Sequence, residues 1–380
     1  GVGTKATGTA SHSEGIDTVA SGNSAHAEGE ETIAGGHISH AEGKRTRANG
    51  ESSHAEGEST RALGRYSHAE GYGNYSIGDA SHTEGGNDGS PMSNATSATT
   101  FSSHAEGLGT LSSGIASHAE GSTTVASGDY SHAEGYNTEA SGDYSHAEGW
   151  STVATEWAAH AEGQSTKAWK DMSHAEGDNT IADGWASHSQ GKYTQALGDH
   201  SHSGGKGFLA GASQIVASGR TSFVHFEQTS TSGYIGAYGD YSAILGGADH
   251  NIGTGSSSSG IFVGSGNTIN DNVLRTAIIG GQNITGTTDD TVYTPKLNIG
   301  IPGGSNTDIQ GNNGGVFSGS SNLTWVESAT TLTITGHLAA TTKSFEVDHP
   351  TKEGKKLIHG SLEGPEHGVY VRGEIKDDNI

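Results

Sequence analysis

The feature that most constrains this chain is a 14-residue period that runs through its first half. A segment of the form Ser-His-Ala-Glu-Gly recurs there, and its histidines lie 14 residues apart except for the 22-residue step from His82 to His104. A unit repeated at a fixed period packs against its own copies, so the period predicts a fold built from stacked units. The longer step equals one period plus an insertion, which we assign to a surface loop within residues 86–101 that could carry a binding function.

Each unit contains a first strand that carries the histidine. Side chains alternate between the two faces of a strand. In the unit at His132, the residues Ser131, Ala133 and Gly135 share one face, and His132 shares the other with Glu134. The small residues are expected to face inward, and the histidine and the glutamate are expected to face outward.

A second, looser strand follows in the same unit. Here Thr138, Ala140 and Gly142 share a face, opposite Glu139 and Ser141. A heptad coiled coil is excluded, because it needs large apolar a and d residues, whereas these units end in Gly and are rich in Ser and Thr. The pattern predicts a parallel β-roll whose coils stack about 4.8 Å apart.

Composition bears on whether such a roll is ordered. The chain carries a net charge of −24 with 30% hydrophobic residues, values that by themselves favour disorder. The repeat reverses that expectation, because small residues can fill a flat, narrow coil. Cysteine is absent, so thiolate chemistry and disulfides are excluded. The acidic charge disfavours nucleic acid as a partner, and the lack of an apolar run of about 18 residues predicts no membrane insertion.

The two outward faces differ when the repeats are compared. The second-strand positions vary freely and include Arg47, Arg61 and Glu139, which is typical of a solvent face. The first-strand pair is His in fourteen units and Glu in twelve, with Gln190 and Gly204 at the end. We therefore predict that this pair forms an interface between three parallel chains. The predicted interface residues are His12, His26, Glu28, His40, Glu42, His54, Glu56, His68, Glu70, His82, Glu84, His104, Glu106, His118, Glu120, His132, Glu134, His146, Glu148, His160, Glu162, His174, Glu176, His188 and His202.

This two-strand unit resembles the head repeats of trimeric autotransporter adhesins. It is still more similar to the Ser-His-Ala-Glu-Gly arrays in tail-fibre and other virion structural proteins of bacteriophages. The resemblance implies a left-handed trimeric β-roll and an extracellular location on the virion.

The histidines have three candidate roles. A hydrogen-bonded ladder between chains is preferred, because buried polar groups need partners. Metal binding is the second, since His and Glu are good ligands. Its first candidates are His200 and His202, by analogy with His-x-His sites in phage fibre tips, and the rest of the ladder is a less favoured one. Catalysis is rejected, because equivalent copies lack the distinct environment of an active site. No enzyme activity and no cofactor are therefore expected.

The remaining chain is divided into three further segments after the roll of residues 1–205. Residues 206–300 contain apolar segments at Ala243, Gly260 and Ala277, 17 residues apart, and predict a wider β-helix or β-prism with polar loops such as 253–259 at its periphery. Residues 301–342 predict a β-hairpin connector with strands near 323–325 and 331–334. Residues 343–380 resemble the beginning of a C-terminal module of phage tail fibres, in which no nucleophile can be assigned beside Asp348, His349, His359 and Glu363.

These observations predict a homotrimeric phage fibre or spike component that attaches to a host-surface glycan or protein and contacts other virion or baseplate proteins. A surface adhesin of the trimeric autotransporter kind is the alternative, and a polysaccharide-degrading tailspike is a less favoured one. We read the chain as part of a longer or processed polypeptide. We also expect neutral, desolvated histidines at the interface, so that acid weakens the roll.

Overall fold

The computed structural model describes residues 1–86, 95–207, 214–229, 235–295, 308–313, 316–326, 330–335, 344–349 and 351–360. All regular elements in these ranges are β-strands, which confirms the all-β prediction. The strands are β1 Lys5–Ala6, β2 His12–Ile16, β3 Val19–Ala20, β4 His26–Glu30, β5 Ile33–Ala34, β6 His40–Ala41, β7 Arg47–Ala48, β8 His54–Ala55, β9 Arg61–Ala62, β10 His68–Ala69, β11 Tyr75–Ser76, β12 His82–Gly86, β13 Ser97–Ala98, β14 His104–Leu108, β15 Leu111–Ser112, β16 His118–Ser122, β17 Val125–Ala126, β18 His132–Tyr136, β19 Glu139–Ala140, β20 His146–Trp150, β21 Val153–Ala154, β22 His160–Gln164, β23 Lys167–Ala168, β24 His174–Asp178, β25 Ile181–Ala182, β26 His188–Lys192, β27 Thr194–Ala196, β28 His202–Lys206, β29 Ile215–Ala217, β30 Phe223–Glu227, β31 Ile235–Ala237, β32 Ala243–Ile244, β33 Asn251–Ile252, β34 Gly260–Ile261, β35 Thr268–Ile269, β36 Ala277–Ile278, β37 Thr285–Gly286, β38 Val292–Tyr293, β39 Asp308–Asn313, β40 Val316–Val326, β41 Thr331–Ile334, β42 Ser344–Asp348 and β43 Lys356–Gly360.

Strands β1 to β38 form a parallel solenoid with one strand of each coil in each of two sheets. The even-numbered strands form one sheet of 19 strands, here called the histidine sheet, and the odd-numbered strands form a second sheet of 19, here called the threonine sheet. Each histidine pairs with the histidine of the next coil, as His132 does with His146. The predicted parallel roll of 14-residue coils is confirmed.

Backbone hydrogen bonds between successive coils hold the solenoid together. The amide of His132 donates to the carbonyl of Ser145 at 3.0 Å, and the amide of Glu139 donates to Thr152 at 2.9 Å. The long step in the repeat leaves this ladder in register, because His82 pairs directly with His104. The eight residues 87–94 of the predicted insertion lie outside the described residues.

The interior of the first half is a narrow column of small side chains. Ala133 and Ala140 are fully buried, one from each sheet, and Thr138 and Ser131 are at most 2% exposed. The same alternation recurs in the neighbouring coils, so the inward assignment of alanine, serine and threonine follows from the strand period. A column this thin is filled by small side chains, mainly those of alanine, serine and threonine.

The glycine that closes each Ser-His-Ala-Glu-Gly segment is the exception to the predicted inward face. Gly135 is exposed, and its φ is +106°. A Cβ added there would lie 2.2 Å from the carbonyl oxygen of Gly149 in the next coil. The prediction that Gly135 faces inward with Ala133 was wrong, because a left-handed backbone and a close approach between coils require this glycine rather than a narrow interior.

The core widens after residue 203 without a break in the solenoid. In the histidine sheet Ser203 pairs with Val224, which pairs with Ile244, and the column continues through Ile261 and Ile278. These aliphatic side chains are fully buried, which agrees with the predicted thicker core and its 17-residue steps.

The polar segment 253–259 is less peripheral than predicted. Ser256 is fully buried, and its hydroxyl donates to the carbonyl of Asn270 at 2.6 Å and accepts from the amide of Val273 at 3.2 Å. Ser259 is 4% exposed. These hydroxyls face inward because they bind backbone groups of the next coil that would otherwise be buried without partners.

The chain divides into two compact units, residues 1–295 and 296–380, so the predicted change at residue 205 lies inside the first unit. In the second unit, β40 and β41 pair antiparallel with Leu323 opposite Ile334, as predicted for the hairpin. Strands β42 and β43 form a separate antiparallel pair. The segment 361–380 of the predicted C-terminal module lies outside the described residues.

Candidate functional site

The imidazole rings of the first half form a continuous stack along the histidine sheet. From His12 to His188, neighbouring ring centroids lie 4.6 to 5.0 Å apart, with interplanar angles of 2° to 15°. The stack ends at His202, whose ring is edge-on to His188 and stacked on Phe223. The spacing between the rings equals the spacing between strands, because each ring projects from the same position of its coil.

The glutamates form a second stack beside the rings. The Nε2 atom of His68 lies 3.3 Å from Glu56 Oε1, within hydrogen-bond reach, and in the other His–Glu pairs the distance is 3.5 to 4.0 Å. The side chains of His132 and Glu134 are 35% and 36% exposed. We call the two stacks together the histidine–glutamate row. The row contains the residues predicted above as the interface.

Ionisation of one carboxyl group in the stack disfavours ionisation of its neighbours, so the pKa values diverge along the row. Hydrogen bonding to a neighbouring carboxyl raises the pKa of Glu70, Glu106 and Glu134 to about 7. The same bonds lower the pKa of Glu84 and Glu120, which lie between them. The physical cause is a shared proton, because a neutral carboxyl can donate to an ionised neighbour one coil away.

The pKa values of several histidines in the row are lowered. Desolvation first, and then the neighbouring rings, lower the pKa of His104, His146 and His174. The same two causes act on His118, where desolvation is again the larger. This direction agrees with the expectation of neutral rings, since a stack of imidazolium ions would carry like charges at close spacing.

A shallow groove follows the glutamate stack. Its walls are Glu14, Glu28, Glu42 and Glu56 with the glycine that follows each, and it continues along the glutamates from Glu56 to Glu106. The groove exists because the glycines beside these glutamates carry no side chain. Solvent and small ions therefore have a path to the carboxylates from Glu14 to Glu106.

The other predicted positions are the solvent-facing residues of the second strand and the suggested His-x-His pair. Arg47 and Glu139 are exposed, and Arg61 is partly exposed, each on the outer face of the threonine sheet. His200 lies in a turn with a φ of +56° and packs edge-on against Trp185 at 4.6 Å. His202 instead stacks on Phe223, so the rings of the suggested His-x-His pair pack against different neighbours.

One surface feature was missed by the sequence interpretation. In seven consecutive coils, the turn before the histidine strand carries an exposed large apolar side chain, here called the apolar edge: Phe101, Ile115, Tyr130, Tyr144, Trp157, Met172 and Trp185. The rings of Tyr130 and Tyr144 stack at 5.1 Å, and Trp157 meets Tyr144 edge-on at 6.3 Å. The signal was the residue two or three positions before each histidine, which the repeat comparison left out.

The C-terminal candidates give no catalytic arrangement among the described side chains. The Nδ1 atom of His349 accepts hydrogen bonds from the amides of Thr351 and Lys352 at 3.3 and 3.1 Å. This is the geometry of a local turn. The side chains of Asp348, His359 and Glu363 lie outside those that the structure describes.

Comparison with known proteins adds no assignment. A scan against protein-family models finds no match, and a search of curated proteins finds none. Within the described residues, no helix has the length and apolar character needed to cross a membrane.

Proposed function

We propose that this chain is a rigid, trimeric component of a bacteriophage fibre or spike that attaches the virion to a host surface. The observation that carries the proposal is the solenoid itself, which continues through two sheets of 19 strands each. At about 4.8 Å per coil, such a stack extends roughly 90 Å. Each added coil pairs its backbone with the previous one, which makes a stiff rod.

The trimer is supported by the contrast between the outward faces. The histidine–glutamate row keeps the same residues from coil to coil, and it leaves a face with buried Nε2 atoms that have no hydrogen-bond partner in the described chain, such as those of His132 and His146. A second and third copy could supply partners for these atoms. The outer face of the threonine sheet varies freely and needs no such partner.

If the protein is a trimer, its mass in solution should equal that of three chains. Native mass measurement at micromolar concentration should give the trimer for the unchanged protein. The double variant His132→Lys, His146→Lys should dissociate, because it places extra charge in the row. Glu139→Lys, with Glu139 on the opposite sheet, is the control and should remain trimeric. A monomer for the unchanged protein would refute the trimer, and circular dichroism separates dissociation from unfolding.

Attachment is supported by the apolar edge. A contiguous exposed apolar surface of this kind is typical of an interaction site, and Tyr and Trp combine an apolar ring with a polar group that can bind a glycan or protein. The alternative of a bacterial surface adhesin uses the same surface for the same purpose. A polysaccharide-degrading tailspike would need a pair of carboxylates at a defined separation, distinct from the others, and the repeated glutamates distinguish no such pair.

The attachment test uses fluorescently labelled protein on a panel of bacterial strains and purified surface polysaccharides. The double variant Tyr144→Ala, Trp157→Ala should bind at least roughly tenfold more weakly than the unchanged protein, since aromatic residues dominate such contacts. Tyr66→Ala is the matched control, because Tyr66 is 62% exposed at the same turn position but lies outside the apolar edge. Equal loss in both variants, or no binding by the unchanged protein, would contradict an attachment role for this edge.

A further inference from the structure

The histidine–glutamate row contains recurring sets of metal-ligand atoms within one chain. In each set, two histidines of successive coils and one glutamate bring two imidazole nitrogens and a carboxylate oxygen within 4.8 Å of one another. Five such sets are His54, Glu56, His68; His104, Glu106, His118; His118, Glu120, His132; His160, Glu162, His174; and His174, Glu176, His188. We propose that the row binds divalent transition-metal ions of the zinc class at these sets.

The nitrogens are available for a metal. The Nε2 atoms of His104, His118 and His132 are buried and make no hydrogen bond within the described residues. A buried nitrogen without a partner loses its hydration and gains nothing in return. A metal ion bound to its lone pair would supply the missing interaction, in place of a partner group from another copy of the chain.

The spacing also suits a metal ion. Nε2 of His104 lies 3.7 Å from Glu106 Oε2, and Nε2 of His118 lies 3.8 Å from Glu120 Oε2. Two ligands of a tetrahedral ion with metal–ligand distances of about 2.1 Å lie about 3.4 Å apart. The two imidazole nitrogens of a set lie within 4.8 Å of each other, so the partly exposed side chains must rotate to bring both nitrogens and the carboxylate oxygen about 3.4 Å apart.

The ligand types decide the class of ion. Imidazole nitrogens with one carboxylate suit zinc, copper, nickel and iron, whereas magnesium and calcium take oxygen ligands. Each ion would also neutralise part of a carboxylate stack that otherwise repels itself. The groove beside Glu56 and Glu106 gives the ion an entry path at the first two of these sets and leaves a position for water as a further ligand. Successive sets share a histidine, as His118 does, so occupation of alternate sets is expected.

The experiment measures zinc retained by the full chain after chelation, reloading with zinc and gel filtration, with metal analysis by mass spectrometry. We expect more than one zinc ion per chain, and the melting temperature should rise with zinc but not with magnesium. The variant with glutamine at Glu56, Glu106, Glu120, Glu162 and Glu176 should lose most of the bound zinc. Glutamine keeps the size of the side chain but removes the anionic ligand.

The control variant removes the same charge elsewhere, with glutamine at the exposed residues Glu31, Glu51, Glu139, Glu156 and Glu227. It should retain zinc like the unchanged protein. Equal retention by both variants, or one ion or fewer per chain, would overturn the proposal. Because every set comes from a single chain, zinc binding by a monomer would support the inference even if the trimer failed, and native mass with and without chelator separates the two results.

Discussion

Gly135→Ala is expected to lower the stability of the solenoid by about 3 kcal/mol or more. The alanine would have to adopt a φ of +106°, which L-residues rarely adopt, and its Cβ would meet the Gly149 carbonyl oxygen at 2.2 Å. Backbone of the next coil cannot move away without breaking the ladder of interstrand hydrogen bonds. Thermal unfolding followed by circular dichroism measures the loss, and limited proteolysis should show new cleavage near the substituted coil.

The control for this substitution is Gly86→Ala in the same sheet. The nearest atom to a Cβ at Gly86 is Tyr72 Cβ at 3.9 Å, and its partner position in the next coil is Leu108. Alanine should therefore leave the melting temperature nearly unchanged there. Equal effects of the two substitutions would show that the close approach between coils does not limit the residue at position 135.

The melting temperature of the metal-free protein is expected to have a maximum at about pH 6.5 and to fall at both lower and higher pH. The sequence led us to expect only the fall on the acid side, below the unfolded pKa of histidine at about 6.5. The difference arises because the glutamates and the histidines of the row have pKa shifts whose consequences for stability oppose one another.

The sign of each contribution follows from which state binds the proton more strongly. Glu70, Glu106 and Glu134 have folded pKa values of about 7, above the unfolded value, so their contribution is present at low pH and is lost as pH rises through 7. The histidine pKa values are lowered, as for His104, so the unfolded chain takes up protons first and stability falls as pH drops below about 6.5.

The measurement is a series of thermal melts between pH 5 and pH 8 in the presence of a chelator. The variant Glu70→Gln, Glu106→Gln, Glu134→Gln should lose the decline between pH 6.5 and 8, because glutamine has no proton to release. Glutamine at the exposed Glu31, Glu51 and Glu139 should leave that decline in place. A melting temperature that rises from pH 6.5 to 8 in the unchanged protein would contradict shared protons along the glutamate stack.

Much of the fold could be predicted because strand alternation is a local property of the chain. The spacing of His132 and Glu134 around Ala133 determines which side chains point outward, and the 14-residue period determines that successive coils stack in register. The same logic located the aliphatic column of Ile244 and Ile261 from its 17-residue steps. The hairpin of β40 and β41 followed from alternation as well.

The candidate site could be predicted only in part. The repeat comparison identified the fixed outward pair and named His200 and His202 as the first candidates for metal binding. The structure adds groups of potential ligand atoms that join a histidine, its glutamate and the histidine of the next coil, as in His104, Glu106 and His118. That grouping depends on which side chains meet between coils, and a comparison of positions within one unit does not contain it.

The sequence by itself determined the period, the two strands of each coil and the residues that fill the interior, because these depend on alternation along one strand. Only the tertiary structure decided why Gly135 must be glycine, that the neighbouring Glu84 raises the pKa of Glu70, and that Tyr130 and Tyr144 join one apolar edge. Each of these depends on the separation between neighbouring coils. At that short distance identical residues contact one another, and their backbone, charge and ring interactions become properties of the stack rather than of the repeat.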